Sequence, residues 1–206
     1  VAERTGLIVD IGHWTLNAVC SQTKKWVDLG AEDLRVSVNI SGVEFTNDSF
    51  VESVKKTLKK YNLPASHLEF EITETAVMNN LEESARIVDE LRYLGITITM
   101  DDFGTGYSSF SYLGQLNFDW IKIDRNFLLE AMKHKHSKTL YDAMVIMAHE
   151  IDLKVVSEGV EKQSEYDYVQ MLGLDELQGY IVSKPLSVFE MERMLFTDKA
   201  KQFKVG

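Results

Sequence analysis

The chain holds one cysteine, Cys20, among 206 residues, so an internal disulfide framework is excluded and a reducing, cytoplasmic setting suits it. Cys20 lies on an amphipathic helical stretch with no evident histidine partner, the setting of a buried structural thiol rather than a nucleophile. Long apolar runs are missing: none approaches the roughly 20 residues that cross a bilayer. No charged-then-apolar leader opens the chain, whose start reads as cut from something longer. Positive charge is scarce. With 22 Lys and Arg against 32 Asp and Glu, the net charge of −10 argues against a groove that tracks a nucleic-acid backbone. A small phosphorylated ligand stays possible if a bound cation inverts the local field. Linkers, low-complexity tracts and internal repeats are also lacking, so residues 1–206 read as a single domain.

What is present is an ordinary globular composition, 45% hydrophobic and 26% charged, arranged as short β-branched runs alternating with helical stretches. The runs are Arg35–Ile40, Leu68–Ile72, Ile96–Met100, Asp119–Ile123, Lys154–Ser157 and Glu176–Tyr180. Between them, Phe50, Val54 and Leu58 form one apolar stripe with Val51 and Tyr61 alongside. Leu81, Ala85, Val88 and Leu91 form a second, and Leu140, Met144, Met147, Ala148 and Ile151 a third. Asn80 with Glu83 suggests a capping box, Gly95 and Gly173 fall at helix ends, and the segment from Val1 to Cys20 reads as helix. Such alternation implies a parallel sheet with right-handed crossovers. No Gly-x-Gly-x-x-Gly turn follows the first strand, which removes the dinucleotide-binding version of that sheet. Polar residues close every strand, which favours a TIM-like (β/α)8 barrel; about six strands are visible, so the remaining two are expected upstream of Val1.

The strand ends carry the chemistry. In order they deliver Asn39, Glu71 with Glu74, Asp101-Asp102, Lys122 with Asp124, Glu158 with Glu161, and Gln178. A barrel gathers such ends at one mouth. There Asn39 offers a carbonyl and Glu71, Asp101, Asp102 and Glu158 offer carboxylates, which need a counter-charge to stay ionised together. Oxygen donors without thiolates or clustered imidazoles favour Mg²⁺ or Mn²⁺. Strand period two puts Lys122 and Asp124 on one face, with Ile121 and Ile123 on the other. Singly, each residue has a plainer reading: Asp101-Asp102 as helix caps, Glu71 and Glu74 as a solvated strand end, Asn39 as a turn former, Lys122 as an ion-paired interior lysine. Their joint occurrence at one end of consecutive strands is what those readings leave unexplained. His134 and His136 sit in a lysine-rich connection and read as solvated, Gly104-Thr105-Gly106 as a loop near the mouth, and Met and Phe on the helices as core.

These motifs resemble those of the EAL domain, the bacterial phosphodiesterase of cyclic di-GMP. They are Val38-Asn39-Ile40-Ser41, Glu71-Ile72-Thr73-Glu74, Asp101 through Ser109, Lys122-Ile123-Asp124, Glu158-Gly159-Val160-Glu161 and Gln178-Gly179-Tyr180, followed by Lys184-Pro185-Leu186. The resemblance implies a modified (β/α)8 barrel and hydrolysis of cyclic di-GMP to linear pGpG with two Mg²⁺ or Mn²⁺ ions. It matches Asn39, Glu71, Asp101, Asp102 and Glu158 to metal ligands, with Glu158 also at the catalytic centre, and Lys122 to the lysine that contacts the attacking water. Gln178 matches a glutamine at the mouth, Glu74 a glutamate that steadies the loop after Asp102, and Asp124 and Glu161 supporting positions around the site. It further implies a homodimer, often joined to sensory or GGDEF-type cyclase domains. The Glu-Ala-Leu tripeptide that names the family is absent, so the chain is expected to lack the N-terminal part of the barrel and to show little turnover by itself. Two readings of the parent stand: an intact enzyme, or a degenerate domain that binds cyclic di-GMP without cleaving it.

Overall fold

A computed structural model describes residues 2–104 and 113–197. Residues 105–109 of the long Asp101–Ser109 motif therefore lie outside the described residues. Six strands form one sheet in sequence order: β1 (Val36–Ile40), β2 (Leu68–Thr73), β3 (Thr97–Phe103), β4 (Trp120–Ile123), β5 (Lys154–Ser157) and β6 (Glu176–Leu177). Every neighbouring pair is parallel. Helices flank the other strands, the connection from β3 to β4 lying partly outside the described residues: α1 (Ala2–Thr5) and α2 (Leu7–Asp28) precede β1; α3 (Gly42–Phe45) and α4 (Phe50–Tyr61) lead to β2; α5 (Glu74–Met78) and α6 (Leu81–Tyr93) lead to β3. After β4 come α7 (Arg125–Ala131) and α8 (Lys135–Glu150), then α9 (Gln163–Met171) after β5 and α10 (Val188–Phe196) after β6.

Strand alternation sorts the side chains into two environments. Phe70, Ile72, Ile98, Ile121, Ile123 and Val155 are fully buried in the hydrophobic core. Side chains of this size contribute about 1.5–3 kcal/mol each on burial, so this layer carries most of the fold's stability. The opposite face is polar, bearing Glu69, Glu71, Thr99 and Lys122, all buried. It is concave. Arg35, just ahead of β1, pairs with Glu176 of β6 at 3.1 Å, although four strands separate them. In a flat sheet those edges would stand roughly 24 Å apart. The sheet is a half-barrel, as the alternating pattern and polar strand ends implied.

Several local expectations are corrected. The N-terminal helix breaks at Gly6 (φ 76°) and runs on to Asp28. On α8 the buried face is Tyr141, Met144, Val145 and Ala148, while Leu140, Met147 and Ile151 are exposed, so the true stripe is rotated from the expected one. Asn80 accepts a hydrogen bond from the Glu83 amide, but Glu83 turns its carboxylate to Arg86, leaving only half of the capping box. The last strand stops at Leu177 rather than Tyr180: a Cβ at Gly179 would lie 2.1 Å from the Val160 carbonyl, a close approach that replaces ladder pairing with a turn. Not every helical Met and Phe is core, since Met171, Phe189 and Phe196 are exposed. Cys20 is fully buried, and burial pushes its thiol up to about 11, which suits an inert structural role. No helix among the described residues is long and apolar enough to cross a membrane.

Candidate metal centre

Lys122 is the hub of the strand exits. Only 5% of its side chain is exposed, and its Nζ lies 2.9 Å from Glu71, 3.1 Å from Asp101 and 2.7 Å from Glu158. Those partners come from β2, β3 and the end of β5, the elements around β4 in the sheet. Burial by itself would lower the Lys122 pKa, but the hydrogen bonds and charges of Glu158 and Glu71 outweigh it, and the ammonium is held above its ordinary value. Burial raises the Glu158 carboxyl, Lys122 opposes that rise, and the charges of Asp101 and Glu71 add to it. Asp102 is also raised, first by burial and then by Asp101 and Asp124.

Adjacent strand residues ordinarily point to opposite faces, so Asp101 and Asp102 should not serve one site. The register of β3 against β4 shifts between Met100 and Phe103, and Asp102 takes a left-handed φ of 55°. This bulge re-aims the pair. One carboxylate oxygen each of Asp101, Asp102 and Glu158 then lies within 4.8 Å of the others, close enough to share a cation. Asp101 Oδ1 is buried and has an ion pair with Lys122 but no hydrogen bond, so it keeps lone-pair capacity for a further ligand. The donor set is all oxygen, which suits a hard divalent ion. The cluster fits a metal.

The remaining expected residues fall around this centre. Asn39 pairs in register with Glu71 and is exposed on the concave side. Gln178 leaves β6 with its amide bonded to the Ser157 carbonyl at 2.8 Å, and its side chain helps line a polar cavity of about 300 Å³ with Glu71 and Lys122. Glu74 is buried at the start of α5. Asp124 stands beside the cluster: it lies past β4 and caps α7 through the Asn126 amide at 2.9 Å, and Asp102 senses its charge. Glu161 pairs at 2.7 Å with Arg125, a residue the sequence reading passed over because its only signal is adjacency to Asp124. His134 and His136 are exposed.

The family model of the EAL domain matches residues 1–185. The chain belongs to the EAL domain family. This EAL domain is 40% identical over 195 residues to the signaling protein YkoW of Bacillus subtilis, covering 95% of the chain and 24% of that protein. It is 38% identical over 186 residues to the bifunctional diguanylate cyclase/cyclic di-GMP phosphodiesterase MucR of Pseudomonas aeruginosa, covering 90% of the chain and 27% of MucR. The chain thus spans about a quarter of the length of the curated relatives it matches. Among solved structures, the PaMucR phosphodiesterase in complex with c-di-GMP superposes with a TM-score of 0.88 at 37% identity, over 92% of this chain and 77% of that one.

Proposed function

We propose that this EAL domain is the catalytic part of a phosphodiesterase that hydrolyses cyclic di-GMP to linear pGpG with Mg²⁺ or Mn²⁺. The observation that carries the reading is the grouping of Glu71, Asp101, Asp102 and Glu158 about one buried lysine at the strand exits. The cyclic di-GMP phosphodiesterase MucR and the PaMucR structure in complex with c-di-GMP support the choice of substrate. Asn39, Glu71, Asp101, Asp102 and Glu158 would hold the metal. A bound divalent cation supplies Lewis acidity and a more acidic water at neutral pH. Lys122 orients the attacking water and offsets charge that builds on the phosphoryl oxygens. The water oxygen bonds to phosphorus as the bond to the 3′ oxygen breaks, and the proton lost by the water ends on that leaving oxygen. Gln178, at the rim of the polar cavity, contacts substrate; Glu74, Asp124 and Glu161 hold the surrounding turns. The parent protein acts as a homodimer on the cytoplasmic side, joined to sensory or GGDEF-type domains, and residues 1–206 form one barrel unit within it.

Turnover of cyclic di-GMP by the intact protein, with Asp101→Asn and Lys122→Met beside it, tests the assignment. Hydrolysis unchanged in either variant removes that residue's role. Binding in calcium with no turnover in magnesium or manganese by the native protein overturns the enzyme in favour of a signalling module that binds without cleaving.

A further inference from the structure

The short helix α7 leaves β4, the strand of Lys122, and touches the turns on both sides of it. At Gly104, two residues past Asp102, the backbone has φ +97° and a Cβ would lie 2.6 Å from two ring carbons of Phe127. At Gly159, the residue after Glu158, φ is +66° and a Cβ would meet Arg125 Cγ at 2.3 Å. Both glycines occupy backbone conformations that ordinary side chains avoid, and in both the space of the missing side chain is filled by α7. Arg125 then extends past Gly159 to pair with Glu161 at 2.7 Å, closing a clamp over the Glu158–Glu161 turn. Asp124 caps the helix, and the Glu158 amide donates to the Ile123 carbonyl at 3.2 Å, so α7 and the Glu158 turn share one anchor on β4.

We propose that Phe127 and Arg125 are positioning residues: straddling β4, they set the distance between the Asp101–Asp102 bulge and Glu158, and so the geometry in which the three carboxylates share a cation. This rests on the metal-dependent reading above. The bulge and the Glu158 turn lie past the regular ladder, which ends at Phe103 and Ser157. Lys122 pairs with a carboxylate of each, and contact with α7 is a second link that relates one turn to the other. Residues that orient metal ligands typically change metal affinity about 10- to 100-fold when removed.

Mn²⁺ titration of the intact protein, followed by the electron paramagnetic resonance signal of the free ion, tests this without turnover. Phe127→Ala should weaken Mn²⁺ binding about tenfold. Arg125→Glu should weaken it less, and adding Glu161→Arg should restore what Arg125→Glu lost. Leu128→Ala is the control. Leu128 is fully buried on the same helix, and the atoms nearest the two glycines belong to other residues, so the variant should melt earlier and bind Mn²⁺ as the native protein does. Arg125 is 43% exposed, so its variants remain informative if Phe127→Ala does not fold. Native affinity in folded Phe127→Ala and Arg125→Glu overturns the proposal, as does an equal loss in Leu128→Ala. Native protein that binds Mn²⁺ but cleaves no cyclic di-GMP would overturn the hydrolase reading alone, leaving the positioning roles to stand on the titrations.

Discussion

The concave face of the half-barrel has two polar layers of opposite character. In the lower one Arg35 pairs with Glu69 at 2.6 Å and Glu176 at 3.1 Å, and Thr99 donates to Glu69 at 2.6 Å. Arg35 and Lys154 each lie 5.0 Å from the centre of the Trp120 ring. There Arg35 is paired with both glutamates, and Lys154 adds a second cation beside Trp120. One turn of the pleat higher, Lys122 is the one cation among the described residues set against Glu71, Asp101, Asp102 and Glu158. The same strands therefore build an ion-paired layer and a carboxylate-rich one. A balanced layer stabilises a fold; a surplus of carboxylates held in place invites a cation.

Lys122→Met should break this comparison most severely. Turnover of the intact protein should fall about a hundred- to a thousandfold, measured on cyclic di-GMP. The variant also leaves one buried and two partly buried carboxylates uncompensated, so denaturant unfolding at neutral pH should show a loss of about 3 kcal/mol. Added Mn²⁺ should recover part of that loss, because the ion takes over the neutralising role. Because the folded-state pKa of Lys122 is raised, its stabilising contribution is present at all pH values below about 10.4 and declines only as pH rises through the raised value.

In the lower layer, Arg35→Met should cost about 1–2 kcal/mol, discounted because 29% of the side chain is exposed. Here divalent cations should restore nothing. Equal rescue of both variants would erase the distinction between the layers. Acidity sharpens it from the other side. Raised carboxyls at Asp102 and Glu158 bind protons more tightly when folded, so their contribution to stability is present below the ordinary carboxylate range and lost as pH rises through their raised values. Protons should then compete with Mn²⁺, and affinity should fall severalfold between about pH 7 and pH 5, read by calorimetry. The smallest effect is expected away from both layers. Tyr141 donates to Ser157 at 2.8 Å where both are fully buried, and Tyr141→Phe should lower stability by about 1 kcal/mol in thermal melts.

Much of this was legible in the chain. Period-two alternation set Lys122 on the face opposite Ile121 and Ile123, and glycines marked the helix ends. Less legible was α8, where apolar residues lie all around the helix and pattern could not choose between Leu140 and Tyr141. Nor could alternation explain how neighbouring Asp101 and Asp102 serve one site, since a bulge is a property of strand pairing. The turn of the chain into α7 at Asp124 was hidden for a related reason, since strand period carries no mark of where a strand ends.

By itself the sequence determined the order of strands and helices, the strand exits at which the acids stand and the hard-oxygen character of the donors, because these follow from local periodicity and side-chain chemistry. Tertiary structure decided the curvature that brings β1 to β6, the bulge that turns two adjacent aspartates to one point, and the packing of α7 into the glycine turns. Those depend on contacts between residues far apart in the chain, whose geometry no local pattern encodes.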